Sequence, residues 1–388
     1  MAFRFSLRSL LILLAIYYLT MVSRMIFAPL LPLFEAEFGL THGQAGSLFL
    51  IIAFGQCVAL FGSGVLSSRL THRWTIFLSL IMSAVAMVAV SRSVSVYHLY
   101  PGLFIVGAAL GLYFPSGMAT LTEMISHEHW GKAIALHEIS PNLGFITAPL
   151  FLEALLRLTP WRGIPLVLAV LSVFVGFLFL LFGPKDHDHG TPPNPQALRQ
   201  VLRHPSFWAL ALIFALSVGA ESGVYSMLPL FLASEMGFAR ESANTLVGLS
   251  RLSGLLILFF SGLVTDRMGH KRATVLFLAV MGTLTLLLGV IRGPVVTPFL
   301  IILQAASLPC FWPGALAVLS ETFSPHLRSL GVSLVTLSGI FWGVGAIPSA
   351  IGYLAEVHSF SFGFALLGSL LLAMLPLAAT LRPQGERR

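Results

Sequence analysis

Apolar runs long enough to cross a bilayer recur twelve times along this chain, separated by short polar loops that are mostly basic. A hydrocarbon core of about 30 Å takes about 20 helical residues to span, so each run predicts one transmembrane helix. The runs fall at 8–33, 44–67, 74–92, 99–123, 132–156 and 163–182, then at 206–232, 243–263, 273–291, 297–320, 329–353 and 360–381. Between the two sets, the stretch from Gly183 is rich in Pro, His and Asp, as expected of a solvated linker. The pattern predicts an all-α membrane protein of twelve transmembrane helices. Residues 1–182 form one six-helix bundle, 183–205 a cytoplasmic linker, and 206–388 a second bundle.

The two halves repeat each other. Leu31-Pro32-Leu33-Phe34 returns as Leu228-Pro229-Leu230-Phe231, a spacing of 197, and Arg24 plus 197 is Glu221. After a one-residue insertion the spacing is 198, which relates Gly39 to Gly237, Gly64 to Gly262, Arg69 to Arg267, Pro115 to Pro313 and Glu123 to Glu321. Internal duplication of a polytopic chain is the mark of a secondary transporter. Two pseudo-symmetric bundles are therefore expected.

Composition agrees with this class. With 57% apolar and 10% charged residues in 388, the chain is not a soluble domain. Arg4 and Arg8 precede the first run as they would in a secretory signal. That run is too long and lacks a small-residue cleavage site, so it is read as the first span. With the N-terminus in the cytoplasm, fifteen Lys and Arg fall on the cytoplasmic side and five on the other, which satisfies the positive-inside rule. The net charge of +7 is then a consequence of topology. The expectation is a multi-pass protein of a bacterial inner membrane with both termini cytoplasmic. Its partner is the lipid bilayer, and the absence of a basic patch with interleaved aromatics argues against nucleic acid.

Asp186-His187-Asp188-His189 in the linker has metal-binding residue types, but nothing nearby completes a coordination sphere, so no metal is expected. Cys57 and Cys310 fall inside spans and read as small packing residues. No zinc-ligand pair, nucleophile elbow or phosphate loop occurs. Neither an enzyme activity nor a cofactor is expected, and the architecture is complete in one chain, as a monomer.

Between spans eight and nine the chain reads Gly262-Leu-Val-Thr-Asp266-Arg267-Met-Gly269-His270-Lys271-Arg272. This resembles the signature loop of the major facilitator superfamily, G-x-L-x-D-R-x-G-R-K/R. Gly262 would permit close helix approach, and Asp266, Arg267 and Lys271 would latch helix ends as gating residues. The first-half copy, Gly64-Val-Leu-Ser67-Ser68-Arg69-Leu-Thr71-His72-Arg73, has Ser68 for the Asp and Thr71 for the Gly, which predicts a weaker latch. Gly144-Phe-Ile-Thr-Ala148-Pro149 in span five is similar to the glycine and proline hinge of that superfamily, with Gly339, Gly343 and Gly345 thinning its counterpart. The resemblance covers the whole chain and implies two bundles that alternate access to a central site.

Charges at membrane depth are costly and mark function. Arg24 sits sixteen residues into span one, about 24 Å at the usual rise of 1.5 Å, and the superfamily fold would set it facing Glu221 across a central cavity. Arg251, in span eight, has Ala53 at the matching first-half position. Arginine suits carboxylate and phosphate because its planar fork donates two parallel hydrogen bonds. Two arginines against one glutamate favour an anionic solute.

Around Arg24 the pattern Ser23-Arg24 to Pro32, then Glu37-Phe-Gly39-Leu-Thr41 to Phe49, resembles the anion:cation symporter branch, as does Phe114-Pro115. Those carriers place a Glu where this chain has Leu110, so proton coupling would need another group. Monocarboxylate carriers, with an Arg in span eight, are a second branch of interest. Glu221, His137 and Glu138 are the titratable candidates. Asn142 lies one turn above Glu138. Tyr17, Gln56, Tyr113, Tyr225 and Trp312 are expected to complete the lining, with Gln304 beside them. Glu123 and Glu321, at equivalent ends of spans four and ten, are expected to join the basic loop residues as gate latches.

The leading reading is a secondary transporter moving a small organic anion, a carboxylate by preference, by proton coupling or exchange. Its phenylalanine-rich spans also admit efflux of amphipathic or lipid-like compounds. From a different class, a membrane receptor would bind a protein partner and move no solute.

Overall fold

The computed structural model describes residues 7–126, 129–184 and 195–381. These are helical throughout, with no strand among the described residues. Eleven helices are long and apolar enough to cross a membrane, and a twelfth candidate is bent by 47° between Ile257 and Phe260. The Asp186 to His189 tract lies outside the described residues.

In the first half the helices are α1 (Leu7–Met25), α2 (Phe27–Phe38), α3 (His42–Arg69), α4 (His72–Ser91), α5 (Val96–Glu123), α6 (Trp130–His137), α7 (Ile139–Leu156) and α8 (Gly163–Phe182). After α9 (Pro195–Leu202), the second half contains α10 (Pro205–Val218), α11 (Val224–Ser234), α12 (Arg240–Met268), α13 (His270–Val290), α14 (Val296–Thr322), α15 (Pro325–Ser338), α16 (Ile347–Val357), α17 (Phe360–Ala373) and α18 (Leu375–Thr380). Two π-helical segments, Gly219–Gly223 and Gly339–Ala346, interrupt the second half.

The chain divides into two compact units, Met1–Leu33 with Ile51–Pro193, and Phe34–Leu50 with Asn194–Arg388. The division expected at 1–182 and 206–388 is departed from at one place, because Phe34–Leu50 packs with the second unit. Hydrogen bonds account for this. The Gly43 N–H donates to Glu356 Oε1 at 2.6 Å and Ser349 Oγ donates to the Gly46 carbonyl at 3.2 Å. In the same segment His42 Nδ1 lies 2.7 Å from Glu35 Oε1.

Four helices related by the repeat are interrupted, by two different devices. Proline cannot donate to the carbonyl four residues back. Pro29 therefore leaves Met25 without that bond and the first span breaks at Ile26, while Pro141 does the same to His137 and the fifth span breaks at Glu138. In the second half Ser226 stands at 29 + 197 and Gly339 at 141 + 198. With those prolines replaced, the equivalent helices widen into π segments. Expected spans 8–33 and 132–156 are thus each two helices with a joint.

The repeat is also legible in the turns. Gly39 and Gly237, 198 apart, have φ of +64° and +68°, a left-handed conformation that glycine adopts without a Cβ penalty. The loop copies differ. Gly269 turns α12 into α13 with φ of +84°, whereas Thr71 precedes α4 with φ of −64°. Gly269→Ala is accordingly expected to cost about 1–3 kcal/mol, because φ of +84° with ψ of +148° is a conformation open essentially to glycine alone. Thr71→Ala should be near neutral, and thermal unfolding of the two variants in detergent separates them.

Gly262, expected at a close helix approach, has no atom within 4 Å of where its Cβ would lie. The tight approach on α12 is at Gly254, whose Cβ would come 2.8 Å from the Ala305 carbonyl of α14.

Candidate functional site

In the second unit, the π segment at Gly219–Gly223 builds a polar cluster inside an apolar bundle. One residue too many per turn displaces carbonyls from the regular ladder, and such bulges recur at functional sites. Gln304 Nε2 of α14 donates to the Ala220 carbonyl at 2.9 Å, and Arg251 Nη2 of α12 donates to the Glu221 carbonyl at 2.9 Å. The Arg251 guanidinium also lies over the Tyr225 ring, 4.9 Å from its centroid, a cation–π geometry that strengthens where water is excluded. Trp312 Nε1 of α14 donates to Glu221 Oε2 at 3.0 Å. Arg251 is 7% exposed.

Four residues expected to serve one site, Glu221, Tyr225, Arg251 and Trp312, are therefore adjacent. Their chemistry is specific. The carboxylate of Glu221 is oriented by an indole N–H. The guanidinium is held by the Glu221 carbonyl and the Tyr225 ring, beside the Glu221 carboxylate that acts on it electrostatically.

In the first unit, Tyr17, Tyr113 and His137 form a second cluster. Tyr113 Oη lies 3.0 Å from the Leu13 carbonyl and 2.9 Å from His137 Nε2. The Tyr17 ring stacks on the imidazole at 4.3 Å with planes 10° apart. His137 is fully buried, and Glu138 Oε1 stands 4.0 Å from its Nδ1. Asn142 does not point into this cluster through a side-chain contact with Tyr113 or His137. Its Nδ2 donates to the Glu138 carbonyl at 2.8 Å, capping the joint that Pro141 opens. Arg24 is 8% exposed and lies seven residues beyond Tyr17 on the same face of α1. Gln56 is buried on α3.

At the helix ends, Glu321 Oε1 meets His270 Nδ1 at 2.9 Å, so one expected latch carboxylate does contact the signature loop, through a histidine instead of the Arg or Lys. Asp266 and Arg267 are exposed. In the first-unit copy, Ser68 Oγ donates within its own helix to the Val65 carbonyl at 2.7 Å, and Arg73 caps the end of α8 through the carbonyls of Pro184, at 3.0 Å, and Leu180. A loop cation near carbonyls that end a helix is favourable. The degenerate copy has become a helix cap.

Sequence reasoning did not single out His270, although His72 and His270 are 198 apart and the repeat could have found them. It also missed Glu235, which accepts from the Phe360 N–H and from Ser361 Oγ at 2.8 Å, fixing the start of α17, with Arg292 at 3.5 Å.

Two units of membrane-spanning helices, each with a buried polar cluster at an interrupted helix, define a polytopic membrane carrier. The sequence profile of the Major Facilitator Superfamily matches residues 13–303 and 255–388, and the chain belongs to that family. It is thus a multi-pass membrane transporter and not an enzyme.

Among curated relatives it is 26% identical over 322 residues to a probable nitrate/nitrite antiporter of Thermus thermophilus, covering 80% of this chain and 69% of the relative. It is 24% identical over 403 residues to a glycerol-3-phosphate transporter of Bacillus subtilis (strain 168), covering 94% and 89%. A solved D-xylose–proton symporter shares the fold at a TM-score of 0.77 and 15% identity, over 99% of both chains.

Proposed function

We propose that this transporter moves a small organic anion, a carboxylate by preference, by alternating access, and that Arg251 is a principal anion-binding group. The observation that carries this reading is the setting of Arg251. Its charge is buried and oriented by the Glu221 carbonyl and the Tyr225 ring. A charged side chain at the centre of a membrane helix costs about 2.5–3.5 kcal/mol on insertion scales, an expense that recognition of an anion would justify. Arg24 supplies a second buried guanidinium in the first unit.

The two relatives described above are named for nitrate or nitrite and for glycerol 3-phosphate, both anions, which supports the sign of the solute. Glu221, held by Trp312, and the His137 and Glu138 pair are the groups proposed to carry the coupling proton. Glu321 with His270, together with Glu123, Asp266, Arg267, Lys271 and Arg69, is proposed to gate.

A ligand that binds only the folded state raises the unfolding temperature. A thermal-shift panel of small mono- and dicarboxylates on purified protein is expected to find stabilisation that is lost in Arg24→Ala. Stabilisation only by amphipathic cations or lipid-like compounds, unchanged in that variant, would replace this reading with efflux.

A further inference from the structure

We propose that Nδ1 of His137 is the proton-binding atom of the first unit, and that the Glu138 carboxylate receives the imidazolium and so couples protonation to the α6–α7 joint. The proposal rests on the transport reading only for what the proton drives. The proton chemistry itself follows from the contacts.

A phenol has one proton, and Tyr113 Oη has two neighbours, the Leu13 carbonyl at 3.0 Å and His137 Nε2 at 2.9 Å. A carbonyl only accepts. Both hydrogen bonds form together in one way: the phenol donates to Leu13, and Nε2–H donates to the phenol oxygen. The hydrogen bond at one ring nitrogen thereby sets the tautomer, and neutral His137 keeps its lone pair on Nδ1. That atom is buried and has no hydrogen-bond partner among the described residues.

Nδ1 faces Glu138 Oε1 at 4.0 Å, beyond hydrogen-bond reach and inside the range of strong electrostatic attraction. When Nδ1 takes a proton from hydronium, an N–H bond forms, the O–H bond of the hydronium breaks to leave water, and the ring gains one positive charge. The groups around it are Tyr17 from α1, with Arg24 of the same helix acting electrostatically on Tyr17, Tyr113 from α5 and Glu138 at the start of α7. Lys132, on α6 itself, is exposed. Tyr17 offers the imidazolium an aromatic face at 4.3 Å, and Tyr113 already accepts from Nε2–H and has no need to change. Among these groups of the described residues, the Glu138 carboxylate is the one that can supply the missing acceptor.

Glu138 is the residue at which α6 ends and α7 begins. Pro141 leaves the ladder open there, and Asn142 holds the Glu138 carbonyl at 2.8 Å. Shortening the Nδ1 to Oε1 distance from 4.0 Å to a charge-assisted bond of about 2.8 Å moves this joint. Protonation therefore acts on the joint in span five, which also carries the Gly144 to Pro149 segment.

The test is nitrogen NMR of the full chain in lipid with ¹⁵N-labelled histidine, resolving His137 among the 12 histidines by the signals lost in His137→Gln or His137→Asn. At neutral pH the expected His137 species carries its proton on Nε2. On acidification Nδ1 gains a proton, and at matched pH Glu138→Gln lowers the doubly protonated population at least threefold. Tyr113→Phe removes the tautomer preference. A neutral His137 with its proton on Nδ1, or a doubly protonated population indifferent to Glu138→Gln, would overturn the proposal. Because no solute is present, this result is independent of whether the chain carries an anion.

Discussion

Arg251→Ala is expected to lower anion affinity by at least about 100-fold while the protein still reaches the membrane. Hydrogen bonds to charged groups contribute about 1.5–3 kcal/mol each, and a guanidinium forks two of them onto one carboxylate. Loss of the fork removes about 3 kcal/mol, and each 1.4 kcal/mol is tenfold in affinity. Truncation also removes one of the hydrogen bonds to the Glu221 carbonyl, which keeps the Val224 N–H, and strips the Tyr225 ring of its cation. The variant should therefore unfold at a lower temperature even without solute.

Arg251→Lys separates the two effects. Lysine keeps the charge, so folding should recover, but a point ammonium lacks the planar fork and affinity should recover only in part. Equilibrium binding of a carboxylate to both variants, alongside their unfolding temperatures, checks this. Affinity equal to wild type in the alanine variant would remove Arg251 from the binding site.

Gly343→Leu is expected to abolish folding of the second unit, and Gly343→Ala to destabilise it markedly. Helix propensity alone predicts the opposite sign for alanine, which is favoured over glycine by about 1 kcal/mol in a helix interior. Packing decides here. A Cβ at 343 would lie 2.6 Å from Val218 Cβ and 2.7 Å from the Ala215 carbonyl. Neither is the end of a flexible side chain, so α10 itself would have to move. Overpacking of this kind costs typically about 1–3 kcal/mol, and leucine adds three further heavy atoms to the same gap. Folded yield after size-exclusion chromatography in detergent is the readout. A well-folded leucine variant would show that α10 and the Gly339–Ala346 segment do not cross closely.

Much of this was legible in the sequence because it depends on periodicity and residue type. Hydropathy found the spans, since lipid accepts only backbone that satisfies itself within a helix. The 197 and 198 spacings anticipated the matched left-handed glycines at 39 and 237. Arg251, Glu221 and Tyr225 were candidates because charge at membrane depth is rare, and they do adjoin.

The interruptions were not legible. A π segment changes which carbonyl meets which N–H while leaving hydropathy untouched, so Gly219–Gly223 reads as ordinary helix although it places Glu221 and brings its carbonyl to Arg251. Pro141 was in view, but its partner carbonyl at His137 had to be counted back four residues to locate the joint. Packing of Phe34–Leu50 with the second unit depends on Glu356 and Ser349, more than 300 positions away. Gly262 has open space where its Cβ would lie while Gly254 meets α14, because a motif names a glycine without saying which neighbour lies beside it.

The central claim, that this chain carries a small organic anion through Arg251, is tested most directly by counterflow in reconstituted proteoliposomes. Vesicles are preloaded with members of a carboxylate panel and the accumulation of trace labelled solute is followed for wild type and Arg251→Lys. The account predicts accumulation of at least one carboxylate by wild type, strongly reduced by the substitution. Accumulation confined to amphipathic cations or neutral solutes, and equal in the two proteins, would contradict it.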